Sequence, residues 1–206
     1  MNSYSKEQEV DVMAGVVYEI DTHELESLGG KIEIFPREAR RAMVASANRA
    51  LSKIITNTAT EVKKNYSTIK RKDIKDIAVT KKATFSNLEA SVTYTGKQLR
   101  ASTFPHTISR SRNRSPVNLR IRTASVKSSP TPAMFGEKAG GSRGVRGTRE
   151  IYKREPNTRK VKTVYTLSIP QMISNETVYK QIQDQAKKDY ADRFVHEFEY
   201  RISTLK

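Results

Sequence analysis

Residues 36–66 read PREARRAMVASANRALSKIITNTATEVKKNY. Ala39, Met43, Ala47, Ala50, Leu51, Ile54, Ile55, Ala59, Val62 and Tyr66 recur at three- and four-residue steps, the period that lines up one face of an α-helix. No Gly or Pro interrupts the run, and Pro36 stands where a first helical turn tolerates a missing N–H. The pattern predicts one helix of about 30 residues, ~45 Å long. That is longer than a compact core of this size requires, so part of its stripe is expected to face another subunit. Arg37, Arg40, Arg41 and Arg49 lie on or beside the same helix and read as a solvated face.

Downstream, residues 66–77 read as a short helix or turn that brings Ile69, Ile74 and Ile77 inward. Strand-like stretches follow at 79–84, 88–95, 117–126, 148–154 and 161–169; Leu88, Ala90, Val92 and Tyr94 alternate, as do Val117, Leu119 and Ile121. Such alternation is the mark of a half-buried antiparallel sheet. Residues 105–116 and 127–147 are rich in Ser, Pro, Gly and Arg. They read as loops, because ordering them costs chain entropy with few apolar contacts in return. A second long helix follows Asn175, a good N-cap residue, with Glu176 at the positive end of the dipole. Along it Val178, Ile182, Ala186, Tyr190, Phe194, Phe198 and Ile202 recur every four residues, and Tyr179, Ala191 and Val195 widen the stripe. Each four-residue step overshoots a turn by ~40°. The stripe therefore winds, and either curves over one sheet or meets first the sheet and then another copy.

Upstream, residues 1–35 form an acidic N-terminal arm, in which GVVYEI at 15–20 and the alternation KIEIF at 31–35 are candidates for one or two added strands. The expected fold is α+β: an antiparallel sheet flanked by two long helices over 36–206, with the extended arm in front and the basic loops inserted.

The chain has 206 residues, of which 36% are hydrophobic and 29% charged, so one lean core is the default. Without cysteine there is no disulfide, thiolate metal site or cysteine nucleophile, and a reducing compartment is expected. His23, His106 and His196 have no metal-ligand spacing. The opening residues lack the apolar run of a signal segment, and no stretch reaches the ~20 apolar residues of a membrane span. A soluble protein without metal or cofactor, and without a membrane partner, is expected.

The net charge is +16, with 38 Lys and Arg against 22 Asp and Glu. Its distribution is uneven. Residues 1–35 hold two lysines and eight acids, among them Glu7, Glu9, Asp11, Glu19, Asp21, Glu24 and Glu26; residues 101–162 hold fifteen bases and three acids; residues 163–206 balance. Unlike charge on two parts of one chain steers and registers assembly, so the arm acids are candidate assembly contacts. The basic candidates are Arg110, Arg112, Arg114, Arg120, Arg122, Arg143, Arg146, Arg149, Lys153, Arg154, Arg159 and Lys160, with Lys162 beside them. Guanidinium forks suit phosphates and carboxylates alike. These residues face either neighbouring subunits or DNA. Base-reading signatures are absent, so DNA contact would be with the backbone and salt-sensitive. No phosphate-binding loop, nucleophile elbow or zinc-protease motif is present. His196-Glu197 reads as a surface or packing pair, and Asp184, Asp189 and Asp192 pair with helix bases. No catalytic residue is assigned, and no enzyme is expected.

The order of segments resembles the bacteriophage minor tail protein Z family. The resemblance lies in Arg40 to Ala50 with the sequel Tyr66 to Ile77, Lys82 to Thr84 and Leu88 to Val92; in Pro132 to Phe135, a Gly-rich gap and Glu150 to Arg154; and in Leu167 to Met172 followed by the terminal helix. It spans roughly residues 36–203, and the acidic arm has no counterpart. It implies a non-enzymatic virion protein, made in the host cytoplasm and placed at the head-proximal end of the tail. There it would form a ring, hexameric by family analogy, that completes the tail and joins it to the neck. The implied neighbours are the tail terminator, the tail tube and the connector, with DNA passing through the lumen. The rival expectation from the charge alone is a stand-alone basic nucleic-acid-binding protein.

Overall fold

The computed structural model describes residues 14–20, 33–108, 116–123, 131–136, 151–155, 157 and 160–205. In chain order these form β1 (Ala14–Ile20), α1 (Pro36–Asn65), α2 (Arg71–Asp76), β2 (Ala78–Lys81), β3 (Ala90–Gly96), β4 (Gln98–Arg100) and a 3-10 turn at Ala101–Thr103. Then come β5 (His106–Ile108), β6 (Pro116–Leu119), β7 (Thr131–Gly136), β8 (Ile151–Arg154), β9 (Val161–Thr163), β10 (Tyr165–Ser168), α3 (Ile169–Ile173) and α4 (Glu176–Ser203). The fold is α+β with antiparallel sheets and two long helices. The strands divide among three sheets: β1-β3-β2, β10-β4 and β5-β6-β7-β8-β9.

The stretch that decides the fold behaves as its period dictates. Helix α1 opens with Pro36 in its first turn and closes where the Tyr66 N–H donates to Val62 O at 2.8 Å. Glu38 in the first turn and Lys63 and Lys64 in the last complement the helix dipole. Its buried face runs from Ala39 through Ala42, Ala47, Ala50, Leu51, Ile54 and Ala59 to Val62. The small residues at the start let α4 come close. The two helices run antiparallel: Lys53 Nζ meets Asp189 Oδ1 at 2.9 Å, while Arg41 shares a cleft with Arg201.

The four-residue stripe of α4 is covered within the subunit, whereas Tyr179 and Val195, which widen it, stay exposed. Val178, Ile182, Ala186, Tyr190, Phe194 and Phe198 are all buried, and Ile202 is half-buried against the same core. Phe194 and Phe198 on the later turns, and the face of α1 from Ala39 to Val62, therefore pack inside the subunit, while Val195 and Tyr200 on those turns of α4 are exposed. The winding appears instead as a change of neighbour. Tyr179, near the start, stacks on Tyr18 of β1 with ring centroids 5.0 Å apart, while Phe194 and Phe198 stack on each other farther along. Asn175 stands at the N-cap, but its side chain makes no capping hydrogen bond.

Strand β1 belongs to the core. It pairs with β3 from Ala14↔Gly96 to Ile20↔Ala90, burying Val16 and Tyr18. Residues 14–20 are therefore the strand expected from GVVYEI, and they make part of the 1–35 stretch integral to the domain. The other alternation, at 31–35, is not a strand where it is described: Glu33 and Ile34 are helical. Ile34 is 69% exposed whereas Phe35 packs on the core, so the two apolar side chains share no sheet face.

Other departures are local. Strand β6 ends at Leu119, short of residue 126, because the chain turns back to cap α1: the Thr123 N–H donates to Asn65 O at 2.8 Å. The strand read over 161–169 splits at Val164, whose N–H donates to Ile151 O and whose carbonyl accepts from the Ala101 N–H. Ile169 then starts α3, fixed by a capping box in which the Ser168 N–H donates to Gln171 Oε1 at 2.8 Å and the Gln171 N–H donates to Ser168 Oγ. The stretches expected as loops contain β5 and β7, which pair on either side of β6. Both strands pair with β6, and the Ser-, Pro-, Gly- and Arg-rich composition around them gave no strand signal. The remaining parts of those stretches, 109–115, 127–130 and 137–147, lie outside the described residues, as does 124–126 of the expected strand.

Candidate functional site

Burial divides the molecule in two. One large cluster joins α1, α2, α3, α4 and the three-stranded sheet, and includes Tyr18, Ile54, Tyr66, Tyr94, Phe104, Met172 and Phe194. At its centre Tyr18 and Tyr94 meet edge to face, centroids 6.3 Å apart. Burial, the first cause, pushes both phenols up, Tyr94 to about 12. For Tyr18 the neighbouring phenols of Tyr94 and Tyr179 add to the rise. The Thr58 hydroxyl lies beside both and moderates the shift, without completing a hydrogen bond of ordinary geometry to either.

Among the described residues, the five-stranded sheet has a small cluster of its own: Ala101, Val117 and Ile151, with Leu119 and Val164 against them. It is also where the described basic candidates gather. Lys153 of β8 stands directly opposite Lys162 of β9, and both are exposed. Directly opposed residues share a sheet face with their Cβ atoms ~5 Å apart. Lys162 is balanced by Glu155 at 2.7 Å. Lys160 sits exposed at the turn between these strands, its carbonyl accepting from the Glu155 N–H. Arg120 and Arg122 are exposed beyond β6, where the Arg120 guanidinium donates to Thr123 O. The register sets Arg154 opposite Val161.

The sheet thus brings Lys153, Lys160 and Lys162 together, while Arg120 and Arg122 stand at the junction with α1. Arg110, Arg112, Arg114, Arg143, Arg146, Arg149 and Arg159 lie outside the described residues. So do Glu7, Glu9, Asp11, Asp21, Glu24 and Glu26 of the arm; Glu19 lies within β1, opposite Ser91. His196 is exposed on α4, and its neighbour Glu197 pairs with Arg193 and Arg201.

A second site falls on residues that the sequence reading took for a solvated face. An open cleft of about 530 Å³ is lined by Arg37, Arg41, Val44 and Ala45 of α1, by Arg201 of α4 and by Phe85. Phe85 is held there by Arg40, whose Nε donates to Phe85 O at 2.7 Å and whose guanidinium lies 5.3 Å from the ring centroid. The segment is anchored further back by Asn48, which donates to Ala83 O and accepts from the Ala83 N–H. Arg41 Nη1 lies 2.9 Å from Glu38, and Arg201 lies 3.8 Å from Glu197. Each guanidinium has five N–H donors, so these single contacts leave further capacity for anions. Phe85 is 50% exposed, and Ile34, Tyr200 and Leu205, all exposed, lie on segments near the same end of the helix pair. The sequence signal was Arg37 and Arg41 one helical step apart. What it lacked was knowledge that Phe85 and Arg201 arrive beside them from distant segments.

Comparison with protein-family models, with curated proteins and with solved structures finds no match to this chain.

Proposed function

We propose that the chain is a structural subunit of a phage virion at the head-proximal end of the tail. Copies would form a ring that completes the tail and joins it to the neck, with DNA passing through the lumen. The order of segments over 36–203 supports this reading. So does one physical observation, the five-stranded sheet with Ala101, Val117 and Ile151 as its own buried cluster. A sheet of five strands normally packs a whole face on a core, and on this reading neighbours in an assembly add to the cluster seen among the described residues. The bases of 101–162 then meet carboxylates of adjoining copies and neck proteins, because a conduit that gripped phosphate tightly would resist DNA movement.

The test is placement in the particle. Imaging of the tail's upper end with the chain labelled should locate it as a ring at the tail–head joint. Particles lacking the chain should accumulate unjoined heads and tails. Absence from purified particles would overturn the proposal.

The exposed Lys153 and Lys162 on one sheet face favour a second reading, a stand-alone protein that binds nucleic-acid backbone. A monomer whose DNA affinity falls by decades between low and moderate salt would establish that reading instead.

A further inference from the structure

Resting on the reading of the chain as a self-assembling subunit, we propose that the Arg37–Arg41–Arg201–Phe85 cleft receives the Glu7–Asp11 segment of a second copy. Charge and spacing match. Glu7, Glu9 and Asp11 alternate with Gln8 and Val10, so an extended segment sets its carboxylates on one side at intervals of ~6.7 Å. Arg37 and Arg41 are four residues apart on α1, a rise of ~6 Å. Two successive carboxylates can therefore meet two successive guanidinium forks, with Arg201 available from the facing helix and Phe85 providing an apolar wall.

Geometry selects a second copy over the chain's own arm. Segment 83–86 runs along α1 toward its N-terminus, past Asn48 and then Arg40, which fixes the cleft at that end. The arm joins the domain at Ala14, at the opposite end. Ala14 pairs with Gly96, where a Cβ would stand 3.3 Å from Pro170 and 3.8 Å from Ile77, and Ile77 follows α2, beyond the C-terminus of α1. Tyr18, four residues into β1, is already level with Thr58. The helix between Thr58 and Arg41 is ~25 Å long, and Ala14 lies farther still. A taut chain from Ala14 reaches only ~10 Å to Asp11, ~17 Å to Glu9 and ~24 Å to Glu7. The acids fall short of their own cleft but can extend into a neighbour's. Donor and receiver at opposite ends make the contact head-to-tail, the kind that closes into rings or runs on as filaments.

The experiment measures the mass of the full chain against concentration for wild type, Arg37→Glu/Arg41→Glu, Glu7→Lys/Glu9→Lys/Asp11→Lys, and the combination of both sets, with circular dichroism as a check on folding. Each set alone should raise the concentration needed for assembly at least tenfold, and the combination should restore it. Arg37→Glu alone keeps the test valid if the change beside Glu38 disturbs α1. Assembly of the cleft variant at wild-type concentration would overturn the arm contact while leaving the ring reading intact. Loss of DNA binding with unchanged assembly would overturn it in favour of a phosphate ligand. A wild-type chain that stays monomeric throughout would overturn both.

Discussion

The helix pair with its three-stranded sheet and the five-stranded sheet obey different rules. The first buries Tyr18, Ile54, Tyr94, Phe194 and many others in a continuous core. The second pairs strands three to six residues long, with Ala101, Val117 and Ile151 as its buried cluster among the described residues. Apolar burial contributes ~25 cal/mol per Å², so the two regions should differ greatly in the free energy that resists opening. The robust region is nearly neutral in charge along α4, whereas 101–162 concentrates the basic excess. Among the described residues, the helix frame thus carries a basic sheet with a small apolar cluster of its own, which on the proposed reading is completed by neighbouring copies.

The largest effect that would sharpen this contrast comes from the core. Phe194→Ala should lower global stability by about 3–5 kcal/mol, because a fully buried ring leaves a cavity between helices; denaturant titration would measure it. Ile151→Ala should instead cost less globally and act locally, stripping hydrogen-exchange protection from β8 and β9 while α1 and α4 keep theirs.

Next in size is a pH effect confined to the frame. The folded phenols of Tyr18 and Tyr94 are raised above the ordinary value near 10. Their contribution is fully present below about pH 10 and falls as pH climbs toward about 12, since the unfolded chain loses those protons first. The slope is up to ~1.4 kcal/mol per pH unit for each phenol. Denaturation midpoints between pH 9 and 11.5 should decline in wild type and decline less in Tyr94→Phe. Smallest of all, Lys53→Ala removes an ion pair whose lysine is largely exposed. It should cost no more than about 0.5 kcal/mol and vanish in high salt.

Much of the frame was legible in the sequence. The three- and four-residue period from Ala39 to Val62 and the four-residue period from Val178 to Phe198 mark helices because each repeats over many turns. The Leu88 to Tyr94 alternation likewise found β3. The basic sheet was half legible: β8 and β9 stand out, but β5 is three residues long and β7 carries Pro132 within a Ser-, Pro-, Gly- and Arg-rich stretch, and pairing with β6 decided their state. In KIEIF at 31–35 the described Glu33 and Ile34 are helical, because so short an alternation cannot specify a strand without a partner, and among the described residues none pairs with it. The arginine cleft was illegible because its parts come from residues 37–45, 85 and 201, joined only by the antiparallel packing of α1 on α4.

The most direct test is hydrogen exchange of the full chain below and above its assembly concentration, followed strand by strand. Amides of β6 and β8 should exchange at least tenfold more slowly once copies associate, while those of α1 and α4 stay unchanged. Amides of β6 and β8 as protected as the helices in the dilute, dissociated chain would contradict the claim that neighbours complete this sheet.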